Sequence, residues 1–217
     1  MSQAQQGAIP APPASPAQAP IWDSARRQIG DGLLSVIMPA HNLGSSIADN
    51  IRHVCAIFDR ELPFELVVVD DGSTDQTADE LRKAGAAFPG LRAVCLNRNV
   101  GKGGALKRGF EACRGNYVLL LDGDLDLPPA QVSGFFGIME QQRADVVIGS
   151  KLHPESSVGS YPWHRRLTSR IYYALVKALI GLPVRDTQTG IKLFKRASLE
   201  WAFPRMLVKR FAFDLEL

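Results

Sequence analysis

The sequence predicts an α/β domain built on a doubly wound, mostly parallel sheet flanked by helices. Short runs rich in Val, Leu and Ile recur along the chain without alternating with polar residues, which is the pattern of strands buried on both faces. Between them lie amphipathic segments of helix length, and the spacing matches strand–helix–strand units. The 217 residues, 46% of them hydrophobic, are enough for one such core with a tail.

Residues 1–30 are read as a disordered Ala/Pro/Gln-rich tail and residues 31–217 as the domain. Of the first 20 residues, 15 are Ala, Pro or Gln, so that stretch can neither bury apolar surface nor sustain a helix. It also lacks the cationic start and unbroken apolar stretch of a signal peptide. The expected strands are Leu33–Met38, Glu65–Asp70, Arg92–Leu96, Tyr117–Asp122 and Asp145–Gly149, all five buried on both faces. The expected helices are Ser45–Asp59, Asp75–Ala86, Gly104–Cys113 and Pro129–Gln142. No run approaches the ~18 apolar residues of a spanning helix. Cys55, Cys95 and Cys113 are scattered, which indicates neither a disulfide framework nor a zinc cluster and fits a reducing compartment.

The formal charge of +3 hides an asymmetry: residues 31–150 carry −5 and residues 151–210 carry +9. In the basic part, His164–Leu179 places Leu167, Ile171, Leu175 and Leu179 on one helical face and Arg166, Arg170 and Lys177 on another. Such a helix suits an anionic lipid surface or an anionic substrate, and equally an ordinary amphipathic surface.

In an open α/β sheet the ligand crevice lies at the carboxyl ends of the strands, so the residues that follow each apolar run are the candidate site. Asp70 and Asp71 close the second run and lead into Gly72-Ser73-Thr74-Asp75. Turn and helix-cap chemistry accounts for Ser73 to Asp75 but not for Asp70, which suits hydrogen bonding to a nucleobase or ribose. Asp122, Asp124 and Asp126 alternate after the fourth run, and on an extended backbone they would share one side. A divalent cation would offset that repulsion, and carboxylates with a pyrophosphate are the hard ligands that Mg²⁺ or Mn²⁺ prefers; a merely solvated acidic loop is the alternative. Leu127 and Ser133 stand where a calcium EF-hand loop needs Gly and Glu. Asn97–Gly104 is a Gly-rich loop carrying Lys102, suited to phosphate or to a plain connection, and it matches neither common phosphate-loop fingerprint. Asp186–Phe194 reads as a turn with a strand-like end.

Taken in order, SVIMPAHN, VVVDDGSTDQT, NVGKGGALKRGF, LLLDGDLDLPP and DTQTGIKLF resemble glycosyltransferase family 2, whose members have the GT-A fold. GSKLHP, RRLTSRIYY and KRFAFDLEL extend the resemblance to the subgroup that makes polyprenyl-phosphate sugars, from about Leu33 to the end of the chain. The resemblance implies an inverting, metal-dependent hexosyltransferase. It would move glucose, in preference to mannose, from UDP-glucose or GDP-mannose to a polyprenyl (dolichyl or undecaprenyl) phosphate. It implies a cytoplasmic protein held peripherally on an anionic membrane surface, with no nucleic acid as partner.

Carried over by motif, Pro39, Ala40, Asn42, Asp70, Asp71, Lys102 and Gly123 would bind the nucleotide sugar. Asp122, Asp124 and Asp126 would hold Mg²⁺ or Mn²⁺, with Asp122, Asp124, Arg166 and Arg170 as catalytic residues. Arg165, Arg166, Arg170, Lys209 and Arg210 would grip the acceptor phosphate, since a guanidinium binds phosphate bidentately. Leu43 stands where the family usually has Glu, and Thr189 where eukaryotic relatives have Cys. Relatives continue past the position of Leu217, so the domain is expected to be truncated at its C-terminus. The alternatives are a transferase acting on another glycan or lipid acceptor, a nucleotide-sugar-binding module without turnover, and a haloacid-dehalogenase-like phosphatase using Asp122 and Asp124.

Overall fold

The computed structural model describes residues 22–149, 189–208 and 213–214. Six strands form one sheet in the order β3-β2-β1-β4-β6-β5. They are β1 (Leu34–Ala40), β2 (Phe64–Asp70), β3 (Leu91–Cys95), β4 (Tyr117–Leu121), β5 (Val146–Ile148) and β6 (Ile191–Lys195). β1 pairs in parallel with both β2 and β4, and β2 with β3. β6 runs antiparallel between β4 and β5. The helices are α1 (Asp23–Ile29), α2 (Ile47–Phe58), α3 (Thr77–Ala87), α4 (Lys102–Ala112), α5 (Val132–Gln142) and α6 (Arg196–Ala202), with a short 3₁₀ turn at Pro129–Gln131 leading into α5.

The middles of β1, β2 and β4 are apolar because both faces are covered. On one face Val36, Met38, Leu66, Val68, Leu119 and Leu121 meet α1, α2 and α5 through Ile29, Ile51, Val54, Phe58, Phe136 and Met139. The intervening residues Ile37, Val67, Val69, Val118 and Leu120 turn to the other face and meet Ala105, Leu106 and Phe110 of α4 with Leu199 and Phe203. This is the two-residue period of a strand with each face finding its own layer of helices.

Two expectations are corrected at the sheet margins. β3 is an outer strand, with Arg92, Ala93 and Cys95 exposed, and β5 is the other outer strand, with Val146 exposed. An outer strand has one neighbour and less cover, so apolar content alone does not establish burial on both faces.

The start of packed structure also differs. The stretch assigned to the tail ends in α1, which buries Ala25 and Ile29 together with Trp22. The Trp22 ring meets Phe58 edge-on at 5.8 Å. Gln28 donates to the Phe136 carbonyl at 2.7 Å, and Arg27 pairs with Glu140 at 3.0 Å. Seven residues hold a helix here through this packing, since so short a segment has little helical stability of its own.

Opposite the site, at the amino end of the sheet, Glu65 is buried and accepts hydrogen bonds from Ser35 Oγ at 2.7 Å and Arg114 N at 2.6 Å. This network fixes the α4–β4 connection.

A candidate nucleotide-sugar site at the carboxyl edge of the sheet

The strand order reverses between β1 and β4, so the loops after β1, β2, β3 and β4 gather at one edge around that switch point. β6, being antiparallel, brings its beginning to the same edge. Five segments separated in sequence therefore meet there.

Asp71 ties two of these loops together. It is buried, and its Oδ1 accepts from Val100 N at 2.7 Å while Oδ2 accepts from Gly101 N at 2.9 Å. The carboxylate thus clasps the Gly-rich loop immediately before α4, and Lys102 is the first residue of that helix. Asp70, also buried, accepts from Ser73 N through Oδ1 at 3.0 Å and shapes the turn after β2. Gly72 is required at that turn for two reasons. Its φ is +65°, and a Cβ there would lie 2.4 Å from the backbone carbon of Arg98.

The loops after β1 and β2 are sewn to each other by side chains. Asn42, itself left-handed at φ 55°, receives a hydrogen bond from Thr74 N through Oδ1 at 2.9 Å, and its own N donates to Ser73 Oγ at 2.9 Å. Asp75 accepts from Thr77 Oγ1 at 2.5 Å, from Gly44 N at 2.9 Å and from Thr77 N at 3.0 Å. The Thr77 hydroxyl, more than the two amides, holds the Asp75 carboxyl below the ordinary aspartate range. Ser73, Asp75 and Thr77 thus have structural work beyond a simple turn.

After β4 the sequence-based expectation is corrected. The Asp122–Asp126 stretch does not continue extended: Leu125 N donates to Asp122 O at 3.1 Å, and Leu125 adopts φ 54°. A chain that turns back cannot keep alternate residues on one side, so the three aspartates do not gather. Among the described residues no three His, Cys, Asp or Glu side chains are placed to hold a metal ion. Asp122 is half-buried and pairs with Lys102 at 2.5 Å, whereas Asp124 and Asp126 are exposed. Asp126 N reaches Asp124 Oδ1 at 3.4 Å.

The donor set still fits a hard divalent ion in kind. Mg²⁺ in particular keeps waters and substrate phosphate oxygens and asks the protein for one or two carboxylates, which Asp122 and Asp124 supply.

The floor of the site is set by close backbone approach. Asp122 N donates to Gly190 O at 2.8 Å, and a Cβ on Gly190 would sit 2.5 Å from Asp122 Oδ2. A Cβ on Gly123 would meet Pro39 O at 2.5 Å, and the Gly123 carbonyl accepts from Asn50 Nδ2 at 2.7 Å. Gly123 therefore packs directly against the Pro39 backbone. Arg165, Arg166, Arg170, Lys209 and Arg210, the GSKLHP segment and the 164–179 helix lie outside the described residues.

Lys192 and Asp214 were missed by sequence reasoning. Lys192, on β6, forms a buried ion pair with Asp214, and the Phe213 ring lies beneath both lysines, its centroid 5.3 Å from Lys192 Nζ and 5.9 Å from Lys102 Nζ. Burial pushes the Lys192 ammonium below its ordinary value and the Asp214 carboxyl above its own, each against the pull of the partner's charge. These groups, with Lys102, Asp122, Thr189 and Gly190, line a small cleft open to solvent. The available signal was a lysine set between Ile191 and the apolar pair Leu193 and Phe194.

The family model for glycosyl transferase family 2 matches residues 35–202. A dolichyl-phosphate beta-glucosyltransferase of Dictyostelium discoideum is 34% identical over 85% of this chain and 60% of its own length. The human dolichyl-phosphate beta-glucosyltransferase is 31% identical over 91% of the chain and 64% of its own length. An undecaprenyl-phosphate 4-deoxy-4-formamido-L-arabinose transferase of Edwardsiella ictaluri is 32% identical over 77% of the chain and 50% of its own length. The chain thus spans about half to two thirds of the length of these three relatives.

Among solved structures, a Mycobacterium tuberculosis glucosyl-3-phosphoglycerate synthase superposes with a TM-score of 0.63 at 22% identity, covering 90% of this chain and 68% of that one. A Pyrobaculum calidifontis mannosyltransferase in complex with GDP-Man and Mn²⁺ gives 0.53 at 22% identity, covering 77% and 46%. The sheet order, the edge on which the loops converge and these likenesses agree on a GT-A fold. The match to the family model, which takes in every strand and every helix from β1 to α6, makes the chain a member of glycosyl transferase family 2.

Proposed function

We propose that the chain transfers a hexose, glucose in preference to mannose, from a nucleotide sugar to a polyprenyl phosphate at the cytoplasmic face of a membrane. The observation that carries this reading is the convergence of the loops after β1, β2 and β4 on Asp122 and Lys102, in a chain similar to two dolichyl-phosphate beta-glucosyltransferases. Pro39, Ala40, Asn42, Asp70 and Asp71 form the wall for base and ribose, and Lys102 with Gly123 lies on the diphosphate side.

Asp122 and Asp124 would hold Mg²⁺ or Mn²⁺, which would supply positive charge to the departing nucleoside diphosphate. Arg165, Arg166, Arg170, Lys209 and Arg210 hold the acceptor phosphate in line with the breaking bond. A phosphate acceptor is already anionic at neutral pH, so the protein's task is alignment and charge stabilisation, and no general base is needed. Inversion at the anomeric carbon follows from a single in-line displacement. Among the described residues no helix is long and apolar enough to cross a membrane, and the +9 charge of residues 151–210 supports peripheral attachment to anionic lipid.

The test is transfer of radiolabel from UDP-glucose or GDP-mannose to a polyprenyl phosphate in detergent, with Mg²⁺ or Mn²⁺. Labelled product in the lipid phase with UDP-glucose, lost in Asp124→Asn, is the expected result. Donor binding without lipid product, or undiminished turnover by Asp124→Asn, refutes the proposal.

A further inference from the structure

Lys102 and Asp122 meet at 2.5 Å, both about one-third exposed, at the mouth of the pocket that Phe213 and the Lys192–Asp214 pair close from below. Two facts about this contact are informative. The carboxylate engaged is the one that begins the D-x-D element, while Asp124 points to solvent. The lysine is the first residue of α4, directly after the loop clasped by Asp71, so its backbone is fixed while its long side chain carries the ammonium to the cleft.

We propose that Lys102 is a place-holding counterion for Asp122. It neutralises the carboxylate in the free protein, then yields it to the divalent cation as the donor's diphosphate offers the ammonium a new anionic partner. The Phe213 ring gives the displaced ammonium a surface to lie over, since Nζ is already 5.9 Å from its centroid. Lys192 does not compete for the vacated carboxylate, because its own charge is taken up by Asp214.

Two consequences follow. The cation alone binds poorly, because it must displace an ammonium and then sit beside it. Nucleotide and cation bind with positive coupling, and each raises the affinity of the other by the same factor. The proposal rests on Asp122 being a cation-side ligand of the nucleotide-sugar site.

The experiment measures Mn²⁺ binding by calorimetry or by loss of the free-ion EPR signal, with Mn²⁺ alone and with UDP present. It uses the wild-type protein, Lys102→Met, Lys102→Arg and Asp122→Asn. Lys102→Met is expected to bind Mn²⁺ alone at least about fivefold more tightly than wild type, and to show a smaller gain on adding UDP. Lys102→Arg, which keeps the charge, is expected to behave as wild type. Should Lys102→Met bind Mn²⁺ no more tightly than wild type while Asp122→Asn weakens binding, the place-holder role is wrong and the cation site stands. Should Asp122→Asn leave Mn²⁺ binding unchanged with UDP present, the cation site itself is wrong and the place-holder role falls with it. Melting temperatures of the four proteins separate these outcomes from misfolding.

Discussion

Asp71→Asn separates a structural clasp from a purely ligand-facing carboxylate. The wild-type side chain accepts two short bonds from adjacent amides, 2.7 Å from Val100 N and 2.9 Å from Gly101 N, in a buried setting. Asparagine is nearly isosteric but replaces one acceptor oxygen with a donor NH₂, which would face an amide that also donates. One charge-assisted bond is lost, worth about 1.5–3 kcal/mol, the surviving bond weakens, and a buried N–H is left without an acceptor. We expect a net loss of about 2–4 kcal/mol. At about 2–4 °C per kcal/mol for a chain of this size, the melting temperature falls by about 4–16 °C.

Thermal melts monitored by circular dichroism check the global figure, and amide hydrogen exchange at Val100 and Gly101 checks the local one. Exchange there should rise by more than at β4, because the damage starts in the loop. A variant that melts within about 1 °C of wild type with unchanged exchange at those two amides refutes the clasp.

Asp75, held below the ordinary carboxylate range by Thr77 and Gly44, should contribute stability above the unfolded-state value of about 3.9 and lose it as pH falls through its lower folded value. Urea midpoints across that acid window should therefore fall more steeply in wild type than in Asp75→Asn. Lys192→Met leaves the Asp214 carboxylate buried without its counter-charge and should cost about 3–5 kcal/mol, whereas the double variant Lys192→Met/Asp214→Leu recovers most of that loss. Equilibrium urea unfolding of the two variants measures the difference, and equal losses would contradict a buried pair.

Much of the sheet was legible from the sequence because β1, β2 and β4 lie between two helical layers. Burial on both faces writes an uninterrupted run such as Glu65–Asp70, and the four helices between strands fell within a few residues of their expected bounds. β3 and β5 look alike in composition yet lie at the margins, since an apolar run records a preference for strand and not a position in the sheet order. β6 showed only a strand-like end, and its antiparallel course between β4 and β5 depends on contacts distant in sequence. α1 was invisible for a related reason: Trp22, Ala25 and Ile29 find partners on α2 and α5 that no local pattern announces. The motif residues after β1, β2 and β4 gather at the carboxyl edge, where the strand pattern places them. The backbone turn at Leu125 and the Lys102–Asp122 contact were not readable, because both follow from how the turn and α4 are placed against each other.

The antiparallel course of β6 has an architectural consequence. Gly149 N donates to Ile191 O at 3.0 Å, so the chain leaves the sheet after β5 and re-enters it on the adjacent strand at the same edge. Both doorposts of the intervening 150–188 stretch are thus nailed to the frame a strand's width apart, the second of them beside Asp122. Insertions or replacements between them can therefore lengthen or shorten that stretch while the six strands keep their order and the loops after β1, β2 and β4 keep their places.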